Sequence, residues 1–154
     1  MPVFYRYWID PATGTPKPQD LLFRGPALAV EVSVPDALGA ALTARSIPLP
    51  TPQPGSALID TGASVTAVDM DVLRRLGLPP VGTGTVVTPS GTETQGVYVV
   101  RLTFPQTPIP PLDPIPVMGS QLAGFGHIVL LGRDLLYGAL LIYDGVHGHW
   151  TIAF

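Results

Sequence analysis

The most regular pattern along the chain is the alternation of Leu28, Val30, Val32 and Val34, which puts four apolar side chains on one face of a half-buried strand within Ala27 to Val34. Ala57-Leu58-Ile59 does not alternate. It predicts a short strand, buried on both faces, that ends at Asp60 and delivers a carboxylate into Thr61-Gly62. Ile128 to Leu131 is a similar apolar run, leading through Gly132-Arg133-Asp134 into Leu135-Leu136 and a helical turn. Val3 to Ile9 is rich in aromatic and β-branched residues and reads as a strand closed by Asp10-Pro11 and the turn formers of Thr13 to Pro16. Two β-rich runs around Pro89-Ser90-Gly91 predict a hairpin over 85–104, and a turn from Asp144 to Gly148 separates strands at 139–143 and 149–154.

Helical punctuation is clearest over 69–77. Asp69 is placed to cap the N-terminus, Met70, Leu73 and Leu76 share a face, Arg74 and Arg75 sit near the negative end of the dipole, and Gly77 suits the position after the C-cap. Pro48, Pro50, Pro52 and Pro54 fall at every second position, so 35–55 is expected to be an extended, polyproline-like loop rather than a helix. Pro105 to Pro116 reads as a second Pro-rich loop. The expected fold is mainly β, a single domain of antiparallel sheets with two short helices.

Composition narrows the function more than the fold. At 154 residues the chain has the length of one domain and needs no metal or disulfide to hold a core, and it has no cysteine to make either a bridge or a thiolate site. A net charge of −3 with Lys17 as the single lysine provides no basic stripe, so no nucleic acid partner is expected. Residues 1–10 lack the basic and long apolar regions of a signal peptide, and the apolar tract 128–143 is broken by Arg133 and Asp134, so no membrane association is expected and the chain reads as soluble and cytoplasmic.

Among chemistry-bearing residues Asp60 stands out, although Asp-Thr-Gly alone also fits an ordinary turn. Ser64 follows Gly62-Ala63, but the glycine a nucleophile elbow needs two positions later is Thr66. His147 and His149 would share a strand face and could hold a metal, yet Gly145 and Gly148 favour a turn there and no further ligand is adjacent; no metal and no cofactor are expected. Glycoside hydrolysis would need a second placed acid, and Asp69, Asp71, Glu93 and Asp134 have cap, hairpin or motif roles instead.

Asp60-Thr61-Gly62-Ala63, a downstream glycine-containing hairpin, and Leu130-Leu131-Gly132-Arg133-Asp134, in that order, resemble the retropepsin-like (retroviral-type) aspartic protease family. The resemblance covers about residues 25–154, leaving 1–24 as an N-terminal extension with a possible strand. It implies a closed-barrel-like acid-protease half that pairs into a homodimer and hydrolyses peptide bonds. Asp60, Thr61 and Gly62 would be catalytic: Asp60 from each subunit activates one water, Thr61 braces the two loops, and Gly62 accepts substrate backbone. Ala63 and Ser64, with Thr88, Pro89, Ser90, Gly91 and Thr92 of the hairpin acting as a flap, would bind the peptide substrate. Gly132, Arg133 and Asp134 would form the structural motif that opens the C-terminal helix. In retroviral members an acidic residue after Asp-Thr-Gly-Ala commonly pairs with this Arg, but here that position is Ser64, so the partner of Arg133 is open. An Arg among Leu130, Leu131, Leu135 and Leu136 is expected to be buried and to need one. Residues 150–154 are the expected interface strand, with 3–9 a second contributor. The alternatives are a catalytically silent dimerisation or peptide-binding module, and an enzyme that mainly processes its own N-terminal segment.

Overall fold

The first strand, β1 (Val3–Tyr7), and the first helix, α1 (Pro18–Arg24), precede β2 (Ala27–Ser33), whose Leu28, Val30 and Val32 are buried as the alternation predicts. The computed structural model describes residues 1–88 and 91–154. After β2 come α2 (Asp36–Ala44), β3 (Gln53–Ile59), β4 (Ala67–Asp69), α3 (Met70–Arg75) and β5 (Gly82–Thr88). Then follow β6 (Gly91–Thr103), β7 (Leu112–Ser120), β8 (Val129–Leu131), α4 (Arg133–Leu136), β9 (Leu140–Asp144) and β10 (His149–Ala153).

Seven strands form one sheet in the order β2-β3-β8-β4-β7-β6-β5. The last residues of β2, Glu31 to Ser33, also pair with Arg101 to Thr103 of β6, so the sheet curls back toward its first strand. The pairing that positions the site is parallel: Ala57, Leu58 and Ile59 of β3 lie beside Val129, Leu130 and Leu131 of β8. Ala57 and Ile59 are buried while Leu58 is half-buried, so β3 has one core face and one more open face, rather than two fully buried ones. Asp69 caps α3 by accepting from the Asp71 amide at 2.9 Å, and its other oxygen accepts from Leu122 N at 2.9 Å. Gly77 follows with φ +65°, the backbone state that suits glycine after a helix end.

Two expectations fail here for identifiable reasons. Residues 35–55 are not all extended, because α2 fills 36–44; four of its nine residues are alanine, the strongest helix former, and the alternating prolines begin only beyond its end. With α1, the described residues contain four short helices rather than two. The second Pro-rich stretch is not a loop throughout, since β7 includes Pro114 and Pro116. There β7 has β6 on one side only, β4 reaching no further than Met118 to Ser120, and an unpaired strand edge tolerates a residue that cannot donate.

The chain ends meet in a second sheet, ordered β1-β10-β9. Val3 pairs with Ala153 and Tyr7 with His149, so the N-terminal segment is structurally tied to the C-terminus. Phe4 packs on the fully buried Trp150 at 5.5 Å between ring centroids. Because β10 is bonded on both sides within its own chain, residues 150–154 offer no free strand edge to a partner. What remains open is the outer face, with Val3, Tyr5, Tyr7, Leu140 and Ile142 all exposed.

Candidate active site

Asp60 sits immediately past β3 because the strand is tied on both sides up to that point. Ile59 N donates to Pro26 O at 2.9 Å, and Asp60 N donates to Leu131 O at 3.0 Å. The carboxylate then turns back on its own loop. Its Oδ1 accepts from Gly62 N at 2.9 Å and Ala63 N at 3.2 Å. Among the described residues, Oδ2 has no hydrogen-bond partner. A Cβ at Gly62 would lie 3.1 Å from Asp60 Oδ1, so glycine there leaves space for the carboxylate to approach the backbone. The result is a half-buried acid with one oxygen anchored and the other unclaimed.

The Gly132-Arg133-Asp134 segment is laced to this loop. Arg133 N donates to Ala63 O at 3.0 Å and Asp134 N to Ser64 O at 3.2 Å. The Asp134 carboxylate accepts from Thr66 N at 2.9 Å and from Thr66 Oγ1 at 2.8 Å, while Thr66 Oγ1 accepts from Gly132 N at 3.1 Å. Arg133 is exposed rather than buried, and its guanidinium needs no carboxylate: Nη1 donates to Thr61 O at 2.9 Å, with Gly62 O at 3.4 Å. Ser64 therefore leaves no acidic partner missing. Arg133 holds the main chain of the loop directly, and the loop's orientation becomes a property of the α4 start.

Sequence reasoning misses Thr66, although a hydroxyl inside the apolar run Val65 to Val68 is the available signal. It is fully buried and bonded from both sides. Thr66→Val keeps the shape but leaves the buried Gly132 N–H without an acceptor. A loss of about 2 kcal/mol in unfolding free energy is expected, measured by urea denaturation.

Of the hairpin residues assigned to substrate binding, Pro89 and Ser90 lie outside the described residues, as does the Thr88 side chain. Thr88 pairs with Gly91 at the strand ends, and Thr92 is exposed. Thr92 makes no hydrogen bond to 60–64 or 132–134 among the described residues. An apolar cleft of about 350 Å³ does adjoin the loop, lined by Thr61, Arg133, Leu136, Tyr137, Ala139 and Leu141. A larger groove of about 510 Å³ between α2 and β6 includes neither segment, and its Arg101 and Asp36 pair with each other.

The histidines are accounted for locally. Asp144 Oδ2 lies 2.8 Å from His147 Nδ1 and 3.4 Å from His149 Nδ1, and the bond from the His147 backbone is the chief cause holding the Asp144 carboxyl below its usual range. His147 lies in the turn, as the flanking glycines indicate, and His149 opens β10. Among the described residues no group of three or more His, Cys, Asp or Glu is arranged to hold a metal. His127 sits with Nδ1 3.0 Å from Ser56 Oγ, and burial lowers its pKa below the ordinary 6.5. The depressed value means the unfolded chain takes up this proton first. Stability should accordingly decline as pH falls from about 6.5 through the folded pKa, and His127→Gln should flatten that part of a melting-temperature profile.

A family model described as "Aspartyl protease" matches residues 52–135, a span covering both laced segments and the hairpin. No curated protein matches the chain. Among solved structures the chain is similar to the simian foamy virus (mac) protease, at 18% identity, 72% coverage of this chain, 91% of that one and a TM-score of 0.44. It is also similar to a foamy viral protease-reverse transcriptase solved with an RNA/DNA hybrid (18% identity, 73% of this chain, 12% of that one, TM-score 0.45). A retropepsin-like aspartic protease from Rickettsia conorii aligns over 97% of this chain and 90% of its own, at 13% identity and a TM-score of 0.49. No described helix is long and apolar enough to cross a membrane.

Proposed function

Because the chain belongs to the aspartyl protease family, we propose that it is a retropepsin-like endopeptidase, working as a homodimer with an Asp60 from each copy on either side of one water. The observation that carries this reading is the Asp60 carboxylate, with Oδ1 fixed by Gly62 and Ala63 and Oδ2 unclaimed among the described residues. Two such acids facing one water cannot both be ionised, since like charges about 3 Å apart repel too strongly, so the pair holds one proton. The ionised partner takes a proton from the water as its oxygen attacks the scissile carbonyl, and the protonated partner donates to the carbonyl oxygen. Breakdown returns a proton to the amide nitrogen and releases the amine.

The supporting roles follow from the loop. Thr61, whose hydroxyl has no partner among the described residues, would meet its equivalent across the two-fold axis. Gly62, Ala63 and Ser64 would present the rim of the loop to substrate backbone. The hairpin segment 88–96 would close over the peptide and exclude water. The returning β2–β6 pairing supports a closed-barrel-like half, and the intrachain use of both edges of β10 leaves the outer face of the terminal sheet as the surface for a second copy.

Incubation with a denatured protein mixture tests the reading. Wild-type protein should generate new peptide termini by mass spectrometry and Asp60→Asn should not. A silent dimerisation module would leave the mixture intact in both samples.

A further inference from the structure

Ser56, Leu58 and Asp60 occupy alternate positions, and all three are half-buried where Ala57 and Ile59 are buried. They therefore share the open face of β3. Following that face back from Asp60, past Leu58 to Ser56, spans about 13 Å at the usual strand rise. At that point lies a concavity of about 300 Å³ whose walls include Trp8, Phe23, Arg24, Ser56, Phe125 and His127. Two features distinguish it from an ordinary surface dent. Phe23 and Phe125 are 82% and 71% exposed, so two aromatic side chains stand in water at its rim. The guanidinium groups of Arg6 and Arg24 both lie on the Trp8 ring, 4.4 and 5.4 Å from its centroid.

Neither arginine forms an ion pair among the described residues, whereas Lys17, Arg74 and Arg101 all do. Arg6 directs Nη1 to Ala27 O at 3.4 Å, which leaves Arg24, exposed at the pocket wall, as the free donor. Two like charges on one indole, in a chain of net charge −3, form a local cationic spot that an anion would relieve. A planar guanidinium is suited to a carboxylate, and exposed aromatic walls suit the methylene stem that carries one.

We propose that this concavity is a substrate subsite for an acidic side chain about four residues from the cleaved bond, with Arg24 as the cation that pairs with it. The inference rests on the protease reading for its place in the substrate. Its spacing comes from the same rise per residue, because an extended peptide along this face covers the distance from Asp60 in about four residues.

Cleavage sites mapped by mass spectrometry in a proteome-derived peptide library should show Asp or Glu enriched about four residues from the scissile bond, on either side of it, because each copy of the proposed homodimer presents one concavity. For a matched peptide pair differing only as Glu or Gln there, kcat/KM should favour Glu about fivefold at low salt, the scale of an ion pair that is partly exposed. The Glu/Gln ratio should fall toward one in Arg24→Gln and survive in Arg24→Lys. A second arm needs no catalysis: Asp60→Asn protein titrated calorimetrically with an acidic octapeptide and its Glu→Gln counterpart should bind the acidic form more tightly by a similar factor. If wild-type protein cleaves both members of the pair equally, the subsite is wrong and the protease reading stands. Glu-selective binding without cleavage of any peptide would leave the subsite standing and remove the protease reading. Equal binding of the two octapeptides would remove the subsite in either case.

Discussion

An equal mixture of wild-type and Asp60→Asn subunits, once exchanged, should show about one quarter of the peptidase activity of the same total amount of wild-type protein, on unbiased closed pairing. The chain has one Asp-Thr-Gly, and the chemistry proposed needs two carboxylates, so a mixed dimer lacks either the proton donor or the base. Asn at this position is a clean probe. Its side-chain oxygen can still accept from Gly62 N and Ala63 N, which hold Asp60 Oδ1 at 2.9 and 3.2 Å, so the loop is kept while the titrating group is removed. The all-Asn dimer, with both carboxylates gone, should lose at least about 10⁴-fold in kcat, the low end of the scale found when members of a concerted catalytic group are deleted. Specific activity of the wild type should also fall on dilution below the dimer dissociation constant. Subunit exchange is verified with differently tagged chains. Activity that merely halves after proven exchange, or full activity from a demonstrated monomer, would overturn the shared site.

Gly132→Ala is expected to be the most damaging single methyl group in the chain. A Cβ there would lie 2.4 Å from the Val65 carbonyl carbon, 2.6 Å from its oxygen and 2.8 Å from Thr66 N. These are backbone atoms, which cannot rotate aside as a side chain would. To admit the methyl, the 60–66 loop and the start of α4 must separate, and the bonds from Gly132 to Thr66, Arg133 to Ala63 and Asp134 to Ser64 lengthen together. The loss should be about 3 kcal/mol, the upper range for overpacking, with a fall in melting temperature of roughly 6–12 °C for a chain of this length. Activity should suffer beyond stability, since a shift of about 1 Å in a catalytic group can cost on the order of 100-fold. Gly138→Ala is the matched control: its Cβ meets nothing within 4 Å, and melting should move little. A Gly132→Ala protein that melts with the wild type would show that the two segments are not packed as described.

The two motifs were readable because each is short, local and chemically unusual. An apolar run that ends in an acid, and another that ends in Gly-Arg-Asp, each predict a short strand, whereas the parallel pairing of β3 with β8 appears only in the structure. The Asp69 cap, the glycine after α3 and the alternation of β2 are local for the same reason: each is set by residues within one or two turns or along one strand. Helix α2 was masked by proline periodicity that begins beyond it, and the propensity of its own alanines was the better signal.

What the chain alone does not contain is the identity of partners distant in sequence. Whether Arg133 needs a carboxylate depends on how closely the Thr61 and Gly62 carbonyls approach it, 72 and 71 residues away. Thr66 looks like one polar residue in an apolar run until Asp134, 68 positions on, accepts from both its amide and its hydroxyl. The C-terminal strand reads the same whether it lies at an edge or in the middle of a sheet, and only its pairing with both β1 and β9 makes it central. Local sequence thus determined where the Asp60 turn, the Asp69 cap and the alternating strand β2 fall, because capping, alternation and turn formation act over a few residues. Tertiary structure decided what holds those residues in place, because a long-range hydrogen bond depends on the packing of the whole sheet.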